Sequence, residues 1–585
     1  MKRSFSVDGL NLVGQDILVK GWVQSRRDHG GLIFIDLRDH QGIIQLVINP
    51  EKDEAFKIAE KIRDEFVIQA SGLVRNRENS LVNPKLETGK IEILINELKI
   101  LSKSDPLPIA IFQENTSNEE QRFKYRYLDL RSPKSQNILK RRAEYYKVLR
   151  NFMEKNDFTE VTTPILGVSS PEGARDFLVP SRVHPGKFYA LPQSPQQFKQ
   201  LLMIGGLYRY YQIAPCFRDE DPRADRLYGD FYHLDLEMSF VENGEEVRNT
   251  VEPLIKDLVI NFAAKKLLSE ETAILSYQEA IENYGSDKPD LRFDLKLINV
   301  NDCFKNTNFE VFKNALQSGG IIKAIKVVNG SKLSRSQIDH YTDLAKEEGA
   351  KGLAYILKEG NELRSPITKF LSEEEINLIT QKMELSDGDL IFFGADKAEI
   401  VHKVLGKLRN EIATDLNLKD NSIVSLVWVV DFPYYEWDET NQKIDFGHNP
   451  FSMPKGGLEA LSTDNLLAVS ADQYDMVMNG YEICSGAIRN HDPQIMYKAF
   501  ENIGYSKEVV DQKFGAMVNA FRYGAPPHGG CAFGVDRILM ILIDEPNIRE
   551  IMAFPKNGSG VDLMMNSPSA VDDKQLKELG LRTIF

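Results

Sequence analysis

The chain has 585 residues, 42% of them hydrophobic and 27% charged, the composition of a soluble globular protein long enough for three or four domains. With 72 Lys and Arg against 86 Asp and Glu, the net charge is −14, so bulk charge gives no argument for nucleic-acid binding, and any such contact must use local basic patches such as Arg26-Arg27 or Lys140-Arg141-Arg142. No apolar run reaches the length of a membrane span, MKRSFSVDGL has no apolar signal region, and four scattered cysteines (Cys216, Cys303, Cys484, Cys531) fit a reducing cytoplasm and no structural zinc site.

Residues 14–104 hold five strand-like runs, DILVKGWVQSR, LIFIDLRD, IIQLVIN, FVIQASGLVRN and KIEILINELKILS. One helical run, DEAFKIAEKIRDE, lies between the third and fourth. That order predicts an OB-type barrel, whose exposed face often binds oligonucleotides, and fits equally another small barrel that does not. Phe34, in LIFID, belongs by default to the core; on an exposed barrel face it would stack on a base, with Gln45 reading the base edge. SDPLPIAIFQENTSNEEQ (104–121) is turn-rich and polar and reads as a linker. A helix follows over Ser135–Lys155, then FTEVTTPIL, a strand halted at Pro164.

The stretch CFRDEDPRADRLYGDFYHLDLEMSF (216–240) reads as an antiparallel hairpin closed by a charged loop. Side chains of alternate parity share a face. Arg218 and Glu220 should therefore face Phe231, His233, Asp235 and Glu237, a surface too charged for a core and suited to a nucleotide and a charged small substrate. From about residue 291 an α+β unit of roughly 130 residues, without aromatic and charged clusters, reads as an insertion. Chemistry resumes beyond it, from SLVWVVDFP to LMILID, and the tail 556–585 is polar and expected to pack loosely.

Four further clusters stand beside the hairpin. SSPEGARDF (169–177) offers Glu172 and Asp176. LPQSPQQFKQ (191–200) offers Ser194, Gln196 and Lys199, the last two three apart and so on one face if the segment is helical. YDMVMNGYEICSGAIR (474–489) carries Asp475, Glu482 and Arg489, and GAPPHGGCAFGVDRILMIL (524–542) runs small residues into Asp536-Arg537 and an apolar helix. Neither GxxxxGK[ST] nor a strand-to-helix GxGxxG is present, so phosphate would have to be held by arginines and metal on a sheet.

FRDE followed by a loop and FYHLDLEMSF resembles the second signature of class II aminoacyl-tRNA synthetases; GVDR before an apolar helix resembles the third, and FTEVTTP the first, a dimer-interface element. RYLDLR (126–131), PEGARDF, LPQSPQQFKQ and NGYE narrow the resemblance to bacterial-type aspartyl-tRNA synthetases, of subclass IIb. The resemblance implies an α+β chain with an OB-fold anticodon-binding domain (1–106), a linker or hinge (107–134), an antiparallel-sheet catalytic domain in two parts (135–290 and 421–555), an inserted α+β domain (291–420) and a C-terminal extension (556–585). It implies activation of L-aspartate by ATP with Mg²⁺, transfer to tRNA-Asp, a cytoplasmic homodimer and no membrane. Arg218 would bridge the ATP α-phosphate and the substrate carboxylate, and Phe231 and Arg537 would sandwich the adenine. Arg226 would meet the γ-phosphate, with Asp219, Glu220, Glu482 and the Gly534-Val535-Asp536 backbone completing the ATP site. Asp475 and Glu482 would hold the metal. Lys199, Arg489 and His448 would grip the aspartate side chain, while Glu172, Ser194, Gln196 and Asp235 orient its amino end. Arg27, Phe34 and Gln45 fall where the family reads the anticodon, and His29 resembles relaxed bacterial members that also aspartylate tRNA-Asn.

Three departures from the family pattern are visible. The hairpin loop reads LYGDFYHLD, one residue longer, without an ATP-holding glutamine and with His233 replacing a second one. GHNP carries Asn449 where a second histidine is common, and ICSGAIR replaces a glycine-rich turn. Two rivals stand beside this reading: an asparaginyl-tRNA synthetase, which usually lacks the insertion and the arginine–lysine grip, and a synthetase-like protein kept as an RNA-binding module.

Overall fold

The computed structural model describes residues 2–113, 117–169, 174–360 and 362–584. It divides into two units, 1–118 and 119–585. In the first, β1 (Asp16–His29), β2 (Leu32–Arg38), β3 (Ile43–Ile48), β4 (Val67–Asn76) and β5 (Ile91–Ser102) close into a barrel in the order β1-β2-β3-β5-β4, with the helix Asp53–Ala59 between β3 and β4. Period-two patterning builds it: Ile33, Ile35 and Leu37 of β2 are buried, while Phe34 and Asp36 between them point outward and are half-buried. Phe34 is therefore an outer-face residue and not a core one. Gly30 and Gly31, at φ of 60° and 80°, make the two-residue turn between β1 and β2.

In the second unit, residues 119–131 depart from the linker expectation. They form two short helices, Glu119–Lys124 and Arg126–Asp129. Arg126 is 2% exposed, pairs with Asp129 and donates to the carbonyls of Met552 (2.7 Å) and Ala553 (3.1 Å). Polar composition misleads here because the arginine is buried against partners supplied from more than 400 residues downstream. The long helix Pro133–Lys155 follows, capped by Ser132, whose Oγ accepts from the Ser135 amide.

The largest sheet of this unit collects β6 (Thr159–Glu160), β7 (Arg209–Arg218), β8 (Gly229–Ser239) and β9 (Ala273–Ser276) from before the insertion. The insertion itself is a five-stranded sheet of β10 (Leu297–Asn299), β11 (Ile321–Val327), β12 (Ala354–Glu359), β13 (Glu362–Arg364) and β14 (Leu390–Asp396), in the order β10-β11-β14-β12-β13. Both of its faces are covered: Leu390 and Phe392 pack with Val401 and Leu405, while Ile391 and Phe393 pack with Phe312 and Ile379. Then β15 (Leu426–Val430), β16 (Gln473–Met478), β17 (Tyr481–Ile488) and β18 (His528–Gly534) rejoin that eight-stranded sheet, which runs β9-β15-β16-β17-β18-β8-β7-β6. It is antiparallel except at its two ends, where β9 and β6 run parallel to their neighbours. Ile483–Ile488 of ICSGAIR belong to β17, and Arg489 follows its last residue.

The insertion thus interrupts a sheet whose strands from before and after it pair at β9–β15 and at β8–β18, and the second pairing sets His233 opposite Gly534, Asp235 opposite Ala532 and Glu237 opposite Gly530. Glycine is required at 530, since a Cβ there would sit 2.3 Å from Glu237 Oε2 and 2.1 Å from the Leu236 carbonyl. Leu234, Leu236 and Met238 on one face of β8 pack with Leu149, Val251 and Leu539 of three helices, so the face of Phe231, His233 and Asp235 is left to line a cavity. The tail is only partly loose. Lys556 pairs with Asp230 and Gly560 packs on the Tyr228 ring, whereas residues 566–584 are largely exposed.

Candidate active site

The open face of the sheet carries a cavity of about 660 Å³. It is lined by Ser194, Gln196, Lys199, Arg218, Glu220, Arg226, Phe231, His233, Asp235, His448, Asp475, Glu482, Arg489, Gly534, Asp536 and Arg537 among others. Most of the residues expected from sequence therefore converge on one site. Glu172 lies outside the described residues. Asp219 turns away from the cavity, with its carboxylate 3.3 Å from the Tyr228 hydroxyl and 3.6 Å from Arg175 Nε. Val535 is fully buried in the core.

The floor is a buried charge set. Gln196–Ile204 is helical, which puts Gln196 and Lys199 on one face and brings Lys199 onto β8. Lys199 Nζ lies 3.0 Å from Asp235 Oδ1 and 3.2 Å from Glu237 Oε2, with all three side chains at most 1% exposed. Arg489 closes on Glu237 with Nε to Oε1 at 2.9 Å and Nη2 to Oε2 at 3.3 Å, and Nη2 also donates to the Gly530 carbonyl. Against burial, which favours the protonated acid, Arg489 and Lys199 hold Glu237 below the usual carboxylate range. Asp235 differs. Lys199 is near but poorly aligned, neither Asp235 oxygen accepts a hydrogen bond among the described residues, and burial raises its pKa to about 6 despite the lysine. Glu237 was visible as part of the hairpin face, but its role as shared partner of Lys199 and Arg489 was not assigned from sequence. The alternation of HLDLE was the available signal.

Above the floor, Arg218 ends β7 with its guanidinium 5.2 Å from the Phe231 ring centroid. It forms no ion pair among the described residues, and its buried Nε has no hydrogen-bond partner. A cation fixed over a ring and left without an anion is suited to an anionic ligand. His233 packs edge-on to Phe231 at 4.8 Å. Burial, then Arg218, Lys199 and Arg537, push its pKa well below the ordinary value, so it is a neutral imidazole. Glu220 lies beyond the end of β7, in the loop, yet reaches the same cavity and pairs with Arg226 at 2.6 Å.

Arg537 donates to the Glu482 carbonyl at 2.5 Å and pairs with Asp225 at 3.4 Å. Asp536 ties the start of its helix to the hairpin, accepting from Arg142 Nη2 at 2.6 Å and from the Tyr232 amide at 3.1 Å. Arg142, from the long helix, is a supporting residue that sequence motifs did not reveal. His448 sits against Phe432 and Tyr277, with Nε2 3.6 Å from Glu436. Burial lowers its pKa while Glu436 and Asp287 oppose the shift.

Asp475 and Glu482 fit a hard divalent cation. Asp475 Oδ1 is buried without a partner, and burial with the neighbouring Glu482 charge drives the Asp475 carboxyl well above its usual range. A cation held by both carboxylates would relieve that cost.

In the barrel unit, Arg27 is opposite Phe34 in the β1–β2 register. Arg27 pairs with Asp36 at 3.0 Å and Gln45 donates to Glu92 at 2.9 Å, so Arg27, Phe34 and Gln45 share the outer face. His29 is exposed at the end of β1.

An antiparallel sheet with an arginine-lined cavity over a buried charge set, in a chain that also carries an OB barrel, has the architecture of a class II synthetase. Residues 118–558 match the family described as tRNA synthetases class II (D, K and N), and residues 17–101 match the OB-fold nucleic acid binding domain. The chain belongs to the class II tRNA synthetases of the D, K and N group. It is 49% identical to the aspartate–tRNA(Asp/Asn) ligase of Rickettsia prowazekii (strain Madrid E), over 98% of this chain and 95% of that one. It is 50% identical to the aspartate–tRNA(Asp/Asn) ligase of Chlorobium chlorochromatii (strain CaD3), over 99% and 96%. In fold it is similar to an aspartyl-tRNA synthetase from Entamoeba histolytica (TM-score 0.56, 19% identity, 95% of this chain and 92% of that one). It is likewise similar to the asparaginyl-tRNA synthetase of Pyrococcus horikoshii (TM-score 0.55, 19% identity, 95% and 98%).

Proposed function

We propose that this chain is an aspartate–tRNA ligase: it activates L-aspartate with ATP to aspartyl-adenylate and transfers aspartate to the 3′ end of tRNA-Asp. The observation that carries the reading is the charge balance of five groups clustered at and just above the cavity floor. Lys199, Arg489 and Arg218 against Asp235 and Glu237 leave one positive charge, which the single net negative charge of aspartate cancels. Neutral asparagine would leave that charge uncompensated in a desolvated site. The two curated relatives at about half identity carry the same activity in their names.

In this reading Asp235, Ser194, Gln196 and Glu172 receive the substrate ammonium, Lys199, Arg489 and His448 the side-chain carboxylate, and Arg218 the α-carboxylate. The α-carboxylate oxygen attacks the ATP α-phosphorus in line and pyrophosphate leaves, with Arg218 stabilising the charge that develops on the phosphoryl oxygens. Phe231 stacks on the adenine and Arg537, released from Asp225, covers its other face. Arg226 and Glu220 exchange their mutual pair for ligand contacts, Arg226 toward the γ-phosphate. Asp475 and Glu482 would hold Mg²⁺, which when bound neutralises phosphate charge. The terminal adenosine hydroxyl of tRNA then attacks the aspartyl carbonyl of the adenylate, and AMP leaves. Positioning supplies much of the rate.

Arg27, Phe34 and Gln45 read the anticodon from the outer barrel face. The names of the relatives include tRNA(Asp/Asn), and with His29 they support charging of tRNA-Asn as well. Exposed Ile165, Leu166, Val168 and Leu178 beyond β6 support a homodimer. The four free cysteines support a reducing cytoplasm as its location; no helix among the described residues is long and apolar enough to cross a membrane.

ATP–pyrophosphate exchange across all amino acids tests the activation step. Aspartate alone should support exchange; asparagine in its place would establish the rival synthetase, and no exchange at all the non-enzymatic module. Charging of tRNA-Asn transcripts about a thousandfold less efficient than tRNA-Asp would remove the dual specificity.

The site also predicts a pH dependence. Only ionised Asp235 can receive the substrate ammonium, and its pKa in the free enzyme is about 6. The KM for aspartate should be flat above pH 7 and rise toward tenfold per pH unit below about 6. Relative to the unfolded chain, the raised pKa favours folding below the ordinary carboxylate pKa, and that contribution is lost as pH rises through about 6. Acid therefore weakens substrate binding through this group without destabilising the fold. A pH-independent KM down to pH 5 would rule Asp235 out as the ammonium partner.

A further inference from the structure

Behind the cavity wall runs a hydrogen-bonded chain that no motif announces. His528 Nδ1 lies 2.8 Å from the Pro526 carbonyl, His528 Nε2 lies 3.0 Å from Gln200 Nε2, and Gln200 Oε1 lies 3.0 Å from Gln196 Nε2. His528 and Gln200 are fully buried and do not line the cavity, whereas Gln196 does. A carbonyl can only accept, so Pro526 requires a proton on His528 Nδ1. With the imidazole neutral, Nε2 must then accept from the Gln200 amide, whose oxygen accepts from the Gln196 amide. One amide N–H of each glutamine is thereby committed to the series, which fixes which way both side-chain amides point. The end left over is the Gln196 carbonyl oxygen, which accepts no hydrogen bond among the described residues.

We infer that His528 and Gln200 are positioning residues that lock the Gln196 side-chain amide with its oxygen, and not its NH₂, presented to the cavity as an acceptor for the ammonium of the substrate. The inference rests on the aspartate-activation reading above. The polarity of the chain is set at the histidine. A doubly protonated His528 would donate to Gln200, reverse both amides and present the Gln196 NH₂ to an ammonium group, a donor facing a donor. The groups around His528 are Glu237 on β8, Arg489 and His491 beyond β17, and the Pro526 carbonyl. Burial acts first against the imidazolium, Glu237 and Pro526 oppose it, and Arg489 and His491 add to it, with a net lowering that keeps the ring neutral.

The test is steady-state ATP–pyrophosphate exchange by the full chain and three variants. Gln200→Met keeps the volume and cuts the chain; His528→Phe removes the acceptor; His528→Gln restores an acceptor near the Nε2 position. Losing one hydrogen bond to a charged group should raise the KM for aspartate tenfold or more in Gln200→Met and His528→Phe. The KM for ATP should stay within about twofold and kcat should fall less than the KM rises, and His528→Gln should recover most of the loss. An unchanged KM for aspartate in both cutting variants, or an equal rise in the KM for ATP, would overturn the assignment. Failure of the wild-type protein to activate aspartate would instead overturn the reading beneath it. Should the variants not fold, nitrogen NMR of ring-labelled histidine in the wild-type protein decides: a buried histidine with a bare Nε2 and protonated Nδ1 supports the relay, and His528 protonated on Nε2 excludes it.

Discussion

Replacing Arg218 by alanine should lower kcat/KM for ATP–pyrophosphate exchange by about a thousandfold and leave the melting transition of the catalytic unit within about 2 °C of the wild type. The two halves of that expectation follow from one observation. Arg218 has no ion pair among the described residues and an unpartnered buried Nε; what holds it is its place at the end of β7 and the Phe231 ring 5.2 Å away. Removing it breaks no charge pair, so the fold loses only a ring contact worth about 1 kcal/mol. Activation loses a preorganised cation at the position where negative charge develops, and such donors are worth about 3–4 kcal/mol in the transition state. Lysine at this position should restore part of the loss, because it supplies the charge without the planar fork. His233, Lys199 and Arg537 supply an internal control: with Arg218 gone, one of the influences that keep His233 neutral is removed, so its protonation should move to higher pH. Exchange within tenfold of wild type in the alanine variant, or a melting temperature lowered by more than about 5 °C, would show that Arg218 is structural.

The residues that betray this site in the sequence are those whose environment is local. The β7–β8 hairpin was legible from alternation, and with it the shared face of Arg218, Phe231, His233 and Asp235, because strand parity is settled within a few residues. The helical spacing of Gln196 and Lys199 was legible for the same reason, and the five barrel strands with their helix followed from period-two runs and turn residues. What escaped depends on partners distant in the chain. Glu237 becomes a shared counter-ion only because the insertion loops out and lets β18 pair with β8. Arg142 meets Asp536 across 394 residues, and Arg126 is buried by carbonyls from the C-terminal region. Phe34 escaped the default because a hydrophobic residue in a strand is inward or outward by register, which LIFID alone does not state. Asp219 sits in the signature but after the last paired residue of β7, so its direction is set by Tyr228 and Arg175 and not by strand parity.

The floor of the cavity should show the opposite balance to Arg218. Arg489→Met is expected to abolish aspartate activation and to destabilise the catalytic unit by about 3–5 kcal/mol, the cost of leaving a buried carboxylate short of a partner. Glu237 would retain only Lys199, which it already shares with Asp235, so two buried anions would compete for one cation. Adding Glu237→Met to that variant should recover most of the stability. It restores a one-to-one match of Lys199 with Asp235 and replaces an ion pair by flexible apolar side chains, an exchange that is often neutral or favourable. Activity should not return, since the carboxylate-binding cation is still missing. Thermal or denaturant unfolding of the single and double variants, followed by a probe of the catalytic unit, measures the coupling. The two-unit chain is not treated as two-state, so the comparison is between transitions and not global free energies. Additive losses in the double variant would mean that Arg489 and Glu237 stabilise the fold independently. Recovery of stability without activity would show that the pair is kept for the substrate, at a site where an apolar core would fold as well.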